Sequence, residues 1–272
     1  MNTLYDELIK MKNSGESCMV VTVVESLGST PVIVGKKMLV GENGLAFGTV
    51  GGGAIEHFAR EKCKTLIKQQ KSVLEKYVLD EGKIVENTKT LPMACGGSVS
   101  LFYEYIGAQA NIYIFGAGHV GQALANVLKT MNFYVTLIDN RKEVYDSLTV
   151  YDRRVLSNYS DFLETEGLKD NSYVVVCTPS HKYDYNVMNK ILELKLAPKY
   201  MGMLCSTKKL NEFLEKTYEQ FGKEIDLSNF YAPIGLDIGG ASPEEIAISI
   251  TSEILAVVYD KKGQNHMSER KK

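Results

Sequence analysis

Two hydrophobic rhythms divide this chain. Up to about residue 107, short runs rich in Val, Thr, Phe and Tyr recur between glycines: "CMVVTVVES", "KKMLVG", "GLAFGTV" and "SVSLFYEY". Runs of β-branched and aromatic residues bounded by turn formers predict strands of a mixed or antiparallel sheet. One segment breaks the pattern. From Ala54 onward, Ile55, Phe58, Ala59, Cys63, Leu66 and Ile67 recur at helical spacing and predict an amphipathic helix. Beyond "IGAQAN" apolar runs alternate with helical stretches. Strands are expected at 112–115, 134–138 and 173–177, with another near 200–204, and helices between them. That alternation predicts a parallel sheet with helices on both faces. The expected fold class is α/β, a mixed α+β N-terminal domain (1–107) followed by a doubly wound parallel sheet (108–260), with a flexible tail at 261–272.

Near the C-terminus, Ser242, Pro243 and Glu245 stand as N-cap, first-turn proline and N3 glutamate of a capping box. They start a helix with Ile246, Ile250, Ile254 and Val257 on one stripe. The stripe suits packing on the sheet, and equally burial against a second copy of the chain, so a homodimer is expected.

Composition narrows the classes. The 272 residues are 44% hydrophobic and 24% charged with a net charge of -2, which fits a globular protein of two modest cores and gives no electrostatic reason for nucleic-acid binding. The basic ending "SERKK" reads as a solvated tail. No apolar run approaches the roughly 20 residues that cross a bilayer, and the first residues carry the charges of an ordinary helix rather than a signal peptide. No membrane association and a cytoplasmic location are therefore expected. The five cysteines, Cys18, Cys63, Cys95, Cys177 and Cys205, are scattered without a CxxC pair, which argues against a disulfide framework or a zinc site. Cys18, Cys63 and Cys177 lie in apolar patterns and read as core thiols. Cys95, beside Gly96 and Gly97 in "PMACGGSVS", reads as accessible and as a soft ligand.

The second half carries "GAGHVG" directly after an apolar strand and before a helix, with Gly116, Gly118 and Gly121 at GxGxxG spacing. Two glycines permit a tight turn and close approach, the third lets helix pack on strand, and the helix start offers N–H groups to a pyrophosphate. Asp139 lies 23 residues after Gly116, at the end of the next strand, where its carboxylate would accept from a ribose hydroxyl and favour NAD(H) over NADP(H); Arg141 nearby weakens that preference. Whether this Rossmann-type site is occupied by NAD or another nucleotide is a separate question from the fold.

A dehydrogenase also needs an acid or base. His266 is in the tail and His57 on the polar side of the first long helix. His119 sits among the glycines. His181, three residues before Asp184 in "CTPSHKYDYN", follows the third strand, where open α/β sheets place ligands. The plainer reading is that Ser180 or a neighbour caps a helix whose solvated first turn contains both residues.

In the first half, "SLGSTP" ends a strand, and "GTVGGGAIE" runs three glycines into the amphipathic helix. Such a run leaves backbone N–H groups bare and predicts an anion site. A tight turn with positive φ is the alternative, explaining one or two glycines more readily than three.

"GSTP", "GTVGGGAIE", "CGG" before a strand, "FGAGHVGQALA" and "PIGLDIGGASPEEIAISI" together resemble the XdhC/CoxI family, the accessory factors of xanthine dehydrogenase and related molybdenum hydroxylases. The match runs from about Cys18 to Val258 in the family's order. The resemblance implies an XdhC/CoxI N-terminal domain and a Rossmann-like C-terminal one. It implies a chaperone that binds the molybdenum cofactor (molybdopterin or its dinucleotide form), protects it while a terminal sulfur is installed, and passes it to an apo molybdenum hydroxylase. A cysteine desulfurase is a further implied partner, and no turnover of its own is implied. The implied cofactor surface is Ser29, Thr30, Gly51, Gly52, Gly53, Glu56, Cys95 and Gly96, with Cys95 nearest the metal. The implied nucleotide surface is Gly116, Gly118, His119, Gly121 and Asp139, with His181 and Asp184. Two departures stand out: "LCSTKK" has Cys205 where relatives carry glycine, which questions the turn's geometry, and "CTPSH" differs from the family's stretch before His181. The alternative function is an NAD-dependent oxidoreductase whose N-terminal domain binds substrate and which relies on His181.

Overall fold

A computed structural model describes residues 3–30, 32–79, 89–91, 96–169 and 171–263. It divides into two compact units, Met1–Ala108 and Gln109–Lys272.

The first unit contains α1 (Leu4–Asn13), β1 (Cys18–Leu27), β2 (Lys37–Gly41), β3 (Ala46–Gly48), α2 (Gly53–Gln69), β4 (Val73–Leu79), β5 (Lys89–Leu91) and β6 (Gly97–Ile106). The sheet order is β3-β2-β1-β6-β4-β5. It is mixed, because β4 and β5 pair in parallel and the other neighbours are antiparallel. Helix α2 buries Ile55, Ala59, Cys63, Leu66 and Ile67, the predicted stripe, in a core shared with Met19, Val21, Leu101 and Tyr103 of the strands. Each large aliphatic side chain so covered contributes roughly 1.5 to 3 kcal/mol. Cys18 and Cys63 are buried in these layers, and burial pushes both thiols up to about 12.

The second unit contains β7 (Ala110–Phe115), α3 (His119–Leu128), β8 (Phe133–Asp139), α4 (Lys142–Ser147), β9 (Arg153–Leu156), α5 (Tyr159–Thr165), β10 (Ser172–Val176), α6 (His181–Glu193), β11 (Tyr200–Met203), α7 (Thr207–Phe221), β12 (Phe230–Tyr231) and α8 (Pro243–Val258). Its six strands are all parallel, in the order β12-β11-β10-β7-β8-β9. The chain leaves β7 toward β8 and β9, then returns to the other side of β7 for β10. The strand order therefore reverses between β7 and β10, and that crevice is where open α/β sheets place ligands. One core layer joins Leu124 and Leu128 of α3 to Ala247, Ile250 and Ile254 of α8; a second holds Phe162, Val187, Ile191 and Phe213. The predicted capping box on α8 is present, with Ser242 accepting from the Glu245 N–H and the Glu245 carboxylate accepting from the Ser242 N–H at 2.9 Å. The buried side of α8 is thus packed within its own unit. Among the described residues no helix is long and apolar enough to cross a membrane.

Candidate functional site

Strand β7 ends at Phe115, and the chain turns through Gly116 and Ala117 into α3, whose N-cap is Gly118. Gly116 has φ +105°, and a Cβ there would fall 2.4 Å from the Cys177 carbonyl oxygen. Bare backbone is required because the two strand ends touch at this point. At Gly121 the demand is packing, since a Cβ would lie 2.1 Å from the Gly116 oxygen. Gly118 differs. Its φ is -71°, and the space a Cβ would take is bounded only by Arg141 Nη2, 3.9 Å away. Packing among the described residues does not demand its bareness. His119, the first residue of α3, is exposed.

Asp139 ends β8 with its carboxylate fully buried. Oδ2 accepts from the Ala117 N–H at 2.8 Å and from Arg141 Nη2 at 2.7 Å; Oδ1 accepts from Arg141 Nε at 2.8 Å and from the Arg141 N–H at 3.0 Å. Burial works to raise this carboxyl, but the Arg141 and Ala117 donors outweigh it and hold it below the usual range. In this arrangement Asp139 has no lone pair left for a ribose hydroxyl, contrary to the expectation from its position in the sequence. The group that reaches solvent is the Arg141 side chain, 32% exposed, whose Nη1 makes no hydrogen bond among the described residues. Behind it the Tyr159 hydroxyl is buried without a hydrogen bond of ordinary geometry, making only a weak approach to the Asn140 backbone. Burial, and then the Asp139 charge, push that phenol well above its ordinary value.

Across the crevice, Cys177 Sγ donates to the Gly116 oxygen at 3.2 Å, and burial with the Asp184 and Asp139 charges pushes the thiol up to about 12. It is an inert thiol that fastens the two strand ends. Ser180 is the N-cap of α6 but makes no side-chain capping bond. The turn is held instead by buried Asp184, whose Oδ1 accepts from the Thr178 N–H at 2.9 Å and from its hydroxyl at 2.6 Å. Burial raises the Asp184 carboxyl, and the Thr178 bonds offset this only in part. His181, at the start of α6, is exposed. The structure therefore places His181 and Asp184 on one helical turn, one outside and one inside. Cys205 is not in the left-handed region, and Ser206 caps α7 by accepting from the Lys209 N–H. The turn holds ordinary backbone geometry without glycine.

In the first unit three loops meet. A Cβ on Gly97 would fall 2.4 Å from Thr30 Cγ2 and 2.5 Å from the Leu27 oxygen, and one on Gly51 would fall 2.7 Å from Val32 Cγ2. These approaches bring Ser29 and Thr30, the glycine triplet, and Gly96 together. Ser29 is exposed; Thr30 Oγ1 is 2.7 Å from Ser26 Oγ and accepts from the Val32 N–H at 3.2 Å. Among the described residues nothing lies within 4 Å of a Cβ built at Gly52, Gly53 or Gly96, so those residues leave the space over this backbone open. Cys95 lies outside the described residues.

Gly51, Gly52 and Gly53 have φ of 132°, 78° and 61°. Turn geometry thus accounts for all three glycines, more than the one or two expected. Nor are the Gly51 and Gly52 N–H groups free. Glu56 Oε1 accepts from the Gly52 N–H at 2.8 Å, the Val50 N–H at 3.2 Å and the Thr49 hydroxyl, while the Gly51 N–H donates to Thr49 Oγ1 at 3.1 Å. The anion nest is filled by the protein's own carboxylate, which corrects the expectation that these groups await a phosphate. Burial opposes ionisation of Glu56, but Thr49 and the backbone donors together hold its carboxyl below the usual range. Its Oε2 makes no hydrogen bond among the described residues. Among those residues no group of three or more His, Cys, Asp or Glu is placed to hold a metal ion.

Known families account for both units. Residues 112–254 match the family described as the XdhC Rossmann domain, and residues 11–78 match the XdhC and CoxI family. This chain belongs to the XdhC family. As an XdhC protein it is 28% identical over 258 residues to the uncharacterized protein YqeB of Escherichia coli K12, covering 93% of this chain and 46% of that protein. It is 28% identical over 167 residues to a Bacillus subtilis 168 protein described as a probable xanthine dehydrogenase subunit, covering 58% of this chain and 46% of that one. The chain spans about half the length of these curated relatives. A crystal structure of a Bacillus halodurans protein described as a xanthine dehydrogenase shares the fold, with a TM-score of 0.50 at 19% identity over 97% of this chain and 98% of that one.

Sequence reasoning about this XdhC chain passed over Thr49 and Thr178 and gave Arg141 only a modifying part. Their signals were present: a hydroxyl residue opening "TVGGG", another opening "TPSH", and an arginine two positions after the β8 carboxylate.

Proposed function

We propose that this XdhC-family chain is an accessory factor for a molybdenum hydroxylase of the xanthine dehydrogenase type. It binds the molybdenum cofactor, supports its sulfuration with a cysteine desulfurase and delivers it to the apo enzyme, without turnover of its own. The observation that carries the reading is the convergence of Ser29–Thr30, Gly51–Gly53 and Gly96 around space that the described residues leave open. The Bacillus subtilis relative, by its description as a probable xanthine dehydrogenase subunit, supports the choice of partner.

The residues fit one part of the cofactor better than another. A pterin ring presents an edge of amino and imide N–H donors, and the free Oε2 of an ionised Glu56 is an acceptor held rigidly by its own Oε1 bonds. A phosphate is a poor match there, since it would meet a second negative charge. Ser29, Thr30, Gly52, Gly53, Glu56 and Gly96 would hold the ring, with Cys95 as the soft neighbour of the metal. Gly51 would keep the loop against Val32. When bound, the cofactor supplies the molybdenum centre that the hydroxylase uses; the chain's own part is to bind and orient it. In the second unit Gly116, Gly118, His119 and Gly121 would receive a nucleotide, with Asp139 acting through Arg141, and Asp184 shaping the crevice edge beside His181.

The test is reconstitution. Addition of the purified protein with cofactor to an apo hydroxylase should raise its activity. Absence of activation together with NAD(H) turnover lost in His181→Ala would replace this reading with the oxidoreductase one.

A further inference from the structure

Resting on the nucleotide site proposed above, we infer that Arg141 sets its ligand class: a nucleotide whose ribose 2′ position carries a phosphate, in preference to one whose 2′ and 3′ hydroxyls are free. The residue type at the end of β8 pointed the other way. An acidic group there accepts from a ribose hydroxyl and repels a phosphate, whereas a nearby arginine accommodates it. Which one faces the ligand is decided by burial and by hydrogen bonds. Asp139 is fully buried and all its acceptor directions are filled, two of them by the Nε and Nη2 of Arg141 and the others by the Ala117 and Arg141 N–H groups.

The pair is neutral as a unit, and its outer face is guanidinium. Arg141 is 32% exposed and has Nη1 uncommitted among the described residues, and its Nη2 lies 3.9 Å from the position of a Cβ on Gly118, where α3 begins. The N–H groups at that helix start and the guanidinium therefore flank the same corner. Both favour an anion. Asp139 also orients the guanidinium through two parallel bonds, so little side-chain entropy remains to be lost on binding. Beyond Asp139, the charged or titratable groups that act on Arg141 are Tyr159 and Glu143. Tyr159 is buried, its phenol held neutral, and Glu143 lies in the first turn of α4.

Titration calorimetry on the full chain with 2′,5′-ADP and with 5′-AMP tests the inference. The wild type should bind 2′,5′-ADP about tenfold to a hundredfold more tightly, the worth of one or two charge-assisted bonds. Arg141→Ala removes that preference and frees the Asp139 carboxylate, so 5′-AMP should become the better ligand. Arg141→Lys keeps the charge and guards against a folding defect; it should retain part of the preference. Equal or tighter binding of 5′-AMP by the wild type, or an unchanged preference in a folded Arg141→Ala, overturns the inference while leaving the nucleotide site standing. No binding of either ligand overturns both the site and the inference.

Discussion

The loops at Gly51–Gly53 and at Gly116–Gly121 look alike in sequence, each a glycine run that opens a helix, yet their electrostatics are opposite. In both, an internal carboxylate takes backbone N–H groups that a ligand was expected to take. Glu56 does so alone and leaves one ionised oxygen without a hydrogen bond among the described residues. Asp139 does so inside a guanidinium fork, and the charge left at the surface is that of Arg141. The first loop thus presents a hydrogen-bond acceptor, the second a cation. A glycine run marks where backbone is bare; the nearest fixed charge decides what the bare backbone is for.

The largest effect that would break this contrast is on the carboxylate of the second loop. Asp139→Ala strands the Arg141 guanidinium and the Ala117 N–H, and should cost roughly 2 to 4 kcal/mol, below the full penalty for a buried pair because Arg141 can turn toward water. Urea unfolding with an unchanged midpoint would show that the pair has no structural role. Next, the glycines of the second loop should separate by function. Gly121→Ala forces a Cβ against the Gly116 oxygen and should lose about 1 to 3 kcal/mol. Gly118→Ala meets no such clash and should lose only about 0.5 to 1 kcal/mol, alanine being a poorer N-cap than glycine, while weakening nucleotide binding. Equal melting losses in the two variants would contradict the division.

The smallest effect concerns the first loop and pH. Since the Glu56 carboxyl is held below its ordinary value of 4.5 in the folded chain, its contribution is complete above that pH and is lost as pH falls through the lower folded value. Partial exposure limits it to about 1 kcal/mol or less. Glu56→Gln should flatten this part of the acid-unfolding curve, and a steeper slope in the variant would contradict the sign. Asp184 runs the other way. Its raised carboxyl makes ionisation a cost to the fold at neutral pH, so it adds nothing to the acid-side loss.

The order of these effects parallels what could be read from the chain. The inner strands of the second sheet were legible because each is an apolar run: β7, β8, β10 and β11 fall within two residues of their expected bounds, as does α2. Others gave little signal. Strand β9 is "RRVL", an edge strand whose arginines turn outward to Glu166 and the Tyr145 carbonyl, and β12 is two residues long. Strand β4 hides its alternation because an apolar residue, Leu74, stands on the exposed side and a charged one, Glu75, on the side of Tyr77 and Leu79. Within the sites, residue types were legible and their partners were not. A carboxylate after β8 and a glutamate after three glycines both read as ligand groups, because nothing in spacing alone reveals that Arg141 closes over the first or that the Val50 and Gly52 amides turn onto the second. Likewise, a Gly52→Val substitution would not test ligand approach alone: at φ +78° a β-branched residue is itself strained.

The central claim, that the open glycine corner with its pinned glutamate holds the molybdenum cofactor, is tested most directly by molybdenum and pterin analysis of the protein purified from a host that makes the cofactor. Wild type should carry both. Glu56→Gln can still accept from the Val50 and Gly52 N–H groups but offers an amide where the pterin edge needs an acceptor, so it should remain folded and lose both. Wild-type protein free of molybdenum and pterin, or a Glu56→Gln protein loaded as fully as wild type, would contradict the account.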